Sequence, residues 1–215
     1  MTGNEMLSTL GLRLNDPDSG KFPEAARLDA LNIAQKSVVN LMSNAYLTDL
    51  QVIQTDCTVT DGAIAFSTLT SEPIRNGVVV VKAKNQGSGG GTVAINKFCT
   101  MVEPTDIKRL ENTYLSGSAS NPVAYIFQQK IYFEPDNMST ADVWYMKEPN
   151  ALAADGTACI LNVALHELVV DMAESQLWKM AGKSDQAAIA QSNAISNIAA
   201  LNERYENEKP TGIGV

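Results

Sequence analysis

The sequence is poor in the residues that most site chemistry needs. Its 215 residues include one histidine, three cysteines and only 6% aromatics. A single imidazole excludes a histidine-rich metal centre. Cys57, Cys99 and Cys159 form no C-x-x-C pair and are odd in number. Neither a disulfide framework nor a zinc site is expected, and three buried, reduced thiols are. So few aromatics speak against a base-stacking platform. Basic residues are also scarce, with 16 Lys and Arg against 24 Asp and Glu and a formal charge of -8. A protein that grips phosphates over its surface needs the opposite balance. No run approaches the roughly 18 apolar residues of a membrane span. Met1-Thr2-Gly3-Asn4-Glu5 lacks a basic, apolar leader. No secretory signal is expected, and the chain reads as one made in a cytosol.

What is present is a globular composition, 45% hydrophobic and 19% charged. The length suits one domain, or a core domain with one large insertion, and needs no covalent staples. Both ends read as helical. Thr2-x-x-Glu5 is a capping-box pattern ahead of Met6, Leu7, Leu10 and Leu14. Asn15-Asp16-Pro17-Asp18-Ser19-Gly20 is a cluster of helix breakers and reads as a turn. A second helix is expected from Phe22-Pro23-Glu24, with Leu28, Leu31, Ala34 or Gln35, Val38 and Leu41 on its apolar stripe and Asp29, Asn32 and Lys36 off it. Near the C-terminus, Ile160 to Met180 and Asp185 to Asn207 show helical spacing around a turn at Gly182 and Ser184. In the latter helix, Ile189, Ile195, Ile198, Leu201 and Tyr205 are the expected apolar positions.

The middle reads as strands. Leu50–Ile53 and Ala63–Phe66 flank the hairpin-type signal Asp61-Gly62. Val78–Val81, Thr92–Ile95, Tyr125–Phe127, Ile131–Phe133 and Val143–Met146 follow. Pro104 to Leu115 reads as a short helix capped by Thr105. The resulting expectation is an α+β fold, a helical bundle core formed by the N- and C-terminal helices with a β-rich insertion between them. Its parts are 1–49 and 158–209 for the core, 50–157 for the insertion, and 210–215 for an extended tail. Helices from the two ends must pair, or each leaves an apolar stripe exposed.

Few residues suggest chemistry. Gly87 to Gly91 lacks the Gly-Lys-Ser/Thr ending of a phosphate loop and reads as a flexible connection. His166-Glu167 resembles half of H-E-x-x-H, but Val170 stands where the second histidine belongs. His166 therefore reads as part of a solvated or partly buried helix face. Glu167, Asp171 and Glu174 lie at i, i+4 and i+7, an acidic stripe on one helix. Asp16 and Asp18 loosely match a calcium loop without its ligand series ending in Glu, so Asn15, Asp16, Pro17, Asp18 and Gly20 read as a structural turn. No serine elbow, Cys-His dyad or Walker motif is present, and no cofactor or catalysis is expected.

Two segments together resemble the head–tail connector (adaptor) proteins of tailed bacteriophages. The first is Arg13-Leu14-Asn15-Asp16-Pro17-Asp18-Ser19-Gly20-Lys21-Phe22-Pro23-Glu24, continuing to Leu31-Asn32-Ile33-Ala34-Gln35. The second runs from Ile131-Tyr132-Phe133-Glu134-Pro135 through Val143-Trp144-Tyr145-Met146-Lys147-Glu148-Pro149. The resemblance covers the two ends well and the middle poorly. Pro23 departs from it, since relatives usually carry a Ser or Thr cap there.

The resemblance implies a virion protein of the neck, made in the host cytoplasm. It would form a ring of copies, dodecameric in the family, below the portal protein, extend the DNA channel and dock tail or stopper proteins. Double-stranded DNA would be passing cargo, and no membrane is involved. The C-terminal segment Pro210, Thr211, Gly212, Ile213, Gly214 and Val215 would reach the portal. An acidic ring would let DNA slide without sticking, with Glu167, Asp171 and Glu174 as candidate channel-lining residues. Three other readings compete: another tail-completion or neck ring protein, a hydrolase with a non-standard carboxylate site in the insertion, and a host cytosolic binding module.

Overall fold

The computed structural model describes residues 1–85, 95–103, 105–106 and 116–208. The glycine run, Thr92–Ala94, most of the expected helix at 104–115 and the tail 210–215 lie outside them. The fold is mixed α+β, with N-terminal helices, central sheets, and C-terminal helices that pack on the N-terminal ones. It divides into two compact units, Met1–Leu50 with Pro149–Val215, and Gln51–Glu148.

The first unit is helical. Helix α1 (Gly3–Arg13) opens on the capping box, with Thr2 Oγ1 accepting from the Glu5 N–H and the Glu5 carboxylate from the Thr2 N–H. Helix α2 spans Glu24–Leu41, with Pro23 as its N-cap residue and no side-chain cap. Helix α3 (Val163–Met180) starts after Ile160, because Asn162 caps it through the Ala164 N–H. Helix α4 spans Ser184–Glu208. Helix α3 is central and packs against the other three. Met6, Leu10, Leu14, Leu31, Leu165 and Leu177 are completely buried in this unit. Each contributes roughly 2 kcal/mol of transfer free energy.

Residues 149–157, expected in the insertion, instead belong to the helical unit. Asn32, expected off the apolar stripe, exchanges two hydrogen bonds with the Leu152 backbone. Gln35 is buried and donates to the Asn150 carbonyl at 2.9 Å. Gly3 passes so close to Ala153 that a Cβ would sit 1.9 Å from its carbonyl oxygen. These contacts hold the returning chain against α1 and α2.

Helix α4 buries Ile198 of its expected apolar positions but not Ile189 or Ile195. Ala187, Ala190, Ala194 and Ile198 are buried, whereas Ile189 is 63% and Ile195 47% exposed. Alanines allow α4 close to α3, where Ser175 donates to the Ala187 carbonyl at 3.0 Å. Asn202 caps the far end of α2, accepting from the Ser43 N–H and donating to the Leu41 carbonyl.

The second unit holds two four-stranded sheets. Strands β1 (Gln51–Thr58), β2 (Ala63–Ala65), β3 (Pro73–Asn85), β4 (Ile95–Phe98), β5 (Thr100–Val102), β6 (Val123–Phe127), β7 (Lys130–Glu134) and β8 (Thr140–Lys147) pair as β1-β8-β3-β4 and β2-β7-β6-β5. Alternate residues of both sheets, among them Val81, Val143, Tyr145, Ile131 and Phe133, form one core. The Asp61-Gly62 signal makes its turn, with φ of 52° and 71°. It closes a single antiparallel bridge between Thr60 and Ala63 rather than a longer hairpin, because β1 pairs with β8 and β2 with β7 in different sheets. The true hairpin is β6–β7, turned by Gln128 and Gln129 at φ 47° and 58°.

Candidate functional site

The breaker cluster between α1 and α2 folds around one carboxylate. Asp16 accepts from the backbone N–H groups of Gly20, Lys21 and Phe22 at 2.9, 3.0 and 2.8 Å. Arg27 Nη2, one turn into α2, meets Asp16 Oδ2 at 2.7 Å and also donates to the Asp16 carbonyl. Asn15 and Ser19 take left-handed conformations at φ 51° and 58°, which lets the loop close on the carboxylate. Burial by itself would raise the Asp16 pKa. The Phe22 and Lys21 amides, Arg27 and the Gly20 amide outweigh that and lower it to about 2. Pro17 and Asp18 stand exposed at the tip. Phe22 turns inward and meets Trp178 of α3 edge-on at 6.0 Å.

The acidic stripe on α3 is capped by a cation that the sequence reading missed. Arg13, in the last turn of α1, contacts Glu167 and Asp171 and reaches Glu174 Oε2 at 3.8 Å. Glu174 also accepts from Trp178 Nε1 at 3.1 Å. Arg13 was legible as a cation favourable at a helix C-terminus. Its partners, more than 150 positions away, were not. Three carboxylates share one guanidinium, so the cluster keeps an excess of two negative charges. Arg13, Asp171, Glu174 and Trp178 line a cleft of about 400 Å³ that continues to Ile189 and Asn193 of α4.

His166 is buried, not on a solvated face. Its Nε2 lies 2.8 Å from the Leu161 carbonyl, and its Nδ1 lies 2.6 Å from the Met1 ammonium. Nε2–H therefore donates and Nδ1 accepts, so both ring nitrogens are engaged within the protein. Burial, followed by the nearby ammonium, lowers its pKa despite the Leu161 bond.

In the β unit, Lys84 of β3 bridges Asp142 at 2.6 Å and Asp56 at 3.0 Å. Asp142 also accepts from the Asp56 N–H, which pins the bulge in β1 between Gln54 and Cys57. Bonds to the two carboxylates raise the Lys84 pKa. Burial opposes ionisation of Asp142, yet Lys84 and the Asp56 amide hold its pKa below the ordinary value. Cys57 and Cys159 are buried and Cys99 is half-buried, all as free thiols.

Among the described residues, no group of three or more His, Cys, Asp or Glu is placed to hold a metal ion. No described helix is long and apolar enough to cross a membrane. The proposed docking residues Pro210–Val215 lie outside the described residues. The sequence matches no known family model and no curated protein.

Proposed function

We propose that this chain is a structural protein of a tailed-phage virion, a head–tail adaptor that rings the DNA channel below the portal. The observation that carries the reading is the layout of the helical unit. Helices from both chain ends close into one bundle, and the β unit is inserted between them in the sequence. The segment that resembles adaptors, Arg13 to Gln35, forms a turn between α1 and α2 that Asp16 and Arg27 lock. Such a rigid corner suits a subunit that must repeat its geometry around a closed ring. The partners are the portal protein, neighbouring copies and a tail or stopper protein, with the segment 210–215 reaching the portal.

The charge supports a conduit. A formal charge of -8 per copy accumulates around a ring. Phosphates sliding past excess carboxylates are repelled and do not adhere. Glu167, Asp171 and Glu174 add to that field only through the two charges that Arg13 leaves unneutralised.

The test is electron microscopy of the purified protein mixed with portal rings, together with mass spectrometry of purified particles. A collar on the portal and the chain's presence in particles are the expected results. A tail-completion or neck protein would enter particles but bind portal only after another protein. Absence from particles overturns the virion reading.

A further inference from the structure

The sandwich has apolar residues on both of its outer faces, where an antiparallel unit alone in water carries polar ones. On the sheet β1-β8-β3-β4, residues alternate with the core set Val81, Val143 and Tyr145. The outward row therefore runs Ile53, Trp144 and Val80 across three strands in register. Phe98 of β4 lies 5.7 Å from Trp144, beneath Lys82 at 5.8 Å. Ile53 is 58% and Phe98 60% exposed. A patch with a protruding phenyl, an indole and a cation has the composition of an interface centre.

The opposite sheet is shaped to receive it. Ile131 and Phe133 enter the core, so Lys130, Tyr132 and Glu134 point outward. Tyr132 stacks on Tyr125 at 5.2 Å, and Phe127 beside them is exposed. Along the β2 edge a cleft of about 540 Å³ opens, lined among others by Thr58, Asp61, Ala63, Ala65, Lys130 and Tyr132. Its walls are small side chains, the Tyr132 ring and Lys130, and Asp61 lies at the end away from Lys130, as the β2–β7 register requires.

We propose that the occupant of this cleft is a second copy of the chain. Phe98 of one copy enters beside Tyr132 of the next, and Lys82 meets Asp61. The charges match, which matters for a chain whose net charge opposes self-association. The two surfaces lie on opposite faces of one unit, so the contact is head-to-tail. A two-fold dimer would leave the patch or the cleft uncovered in each copy, whereas a head-to-tail contact repeats and closes into a ring when the rotation per copy allows. The proposal deepens the ring reading above by naming the surfaces that would meet.

Sedimentation of two variants tests it. Phe98→Glu spoils the patch and Tyr132→Glu spoils the cleft. Each is expected to weaken self-association at least roughly tenfold. Mixed in equal amounts, they should form dimers that grow no further, because each supplies the surface that the other lacks. Ile53→Lys and Ala65→Arg repeat the two lesions at other positions, and circular dichroism verifies the fold of every variant. A wild-type chain that stays monomeric at every concentration overturns the proposal. So does either folded variant associating like the wild type, or a mixture that stays monomeric. Absence of the chain from virions would sink the virion reading and leave this contact standing.

Discussion

Asp16 and Arg27 form a buried ion pair, with Oδ2 and Nη2 2.7 Å apart. Three backbone amides complete the coordination of the carboxylate, so one residue closes the α1–α2 turn and anchors it to α2. Removing one partner of such a pair leaves the other buried and uncompensated. Asp16→Asn is expected to lower the melting temperature clearly, and Arg27→Met to do the same. Asp18→Asn, on the exposed tip, should leave it unchanged. Thermal unfolding of the three variants side by side reads the difference.

The pH dependence follows from three lowered pKa values, those of Asp16, Asp142 and His166. Asp16 ionises at about 2 in the fold against an ordinary 3.8. The unfolded chain binds that proton first, so this stabilisation is present above 3.8 and lost as pH falls toward 2. His166 is also lowered, from an ordinary 6.5, so its contribution is present above 6.5 and declines as pH drops below it. Melting temperature measured across pH should fall in two acid steps. Asp16→Asn should shrink the lower step and leave the part that Asp142 contributes. The single imidazole makes the upper one assignable by NMR, where the folded-state titration must lie below 6.5.

The phase of α4 is testable by substitution on its two sides. Ala194 is completely buried, and Ala194→Leu should lose about 1–3 kcal/mol by overpacking. Ile195 points the other way, and Ile195→Ser should stay within about 0.5 kcal/mol of the wild type. Urea unfolding measures both. The opposite order would mean that Ile195 is on the packed side of α4 and Ala194 is not.

Arg13 is partly exposed, so solvent screens its ion pairs. Arg13→Ala should lose about 1 kcal/mol at low ionic strength. High salt should remove most of that difference, because screening weakens both the lost attraction and the repulsion among the three carboxylates. A loss that is independent of salt would mean that Arg13 acts through packing of its stem.

Local signals were legible where neighbours in sequence decide the outcome. The capping box at Thr2 and Glu5, the breaker turn, the β6–β7 hairpin and the helical ends follow from short-range hydrogen bonding and periodicity. Asp61-Gly62 shows the limit, since the turn forms as its residues require while the strands on either side join different sheets. Hydrophobic spacing likewise identified α4 as a helix and placed Ile198 in the core, but it also chose Ile189 and Ile195, which are exposed. Close approach to α3 favours small residues, and that choice depends on a surface the sequence does not display.

The sequence by itself determined the elements, the acidic balance and the scarcity of catalytic groups, because composition and local geometry do not depend on partners far along the chain. Tertiary structure alone decided which cation meets the acidic stripe. It also decided that the only histidine is buried, that residues 149–157 join the helices, and that Trp144 and Phe98 share an outer sheet face. Each of these joins positions distant in sequence, through burial or charge pairing that exists only once the chain has closed on itself.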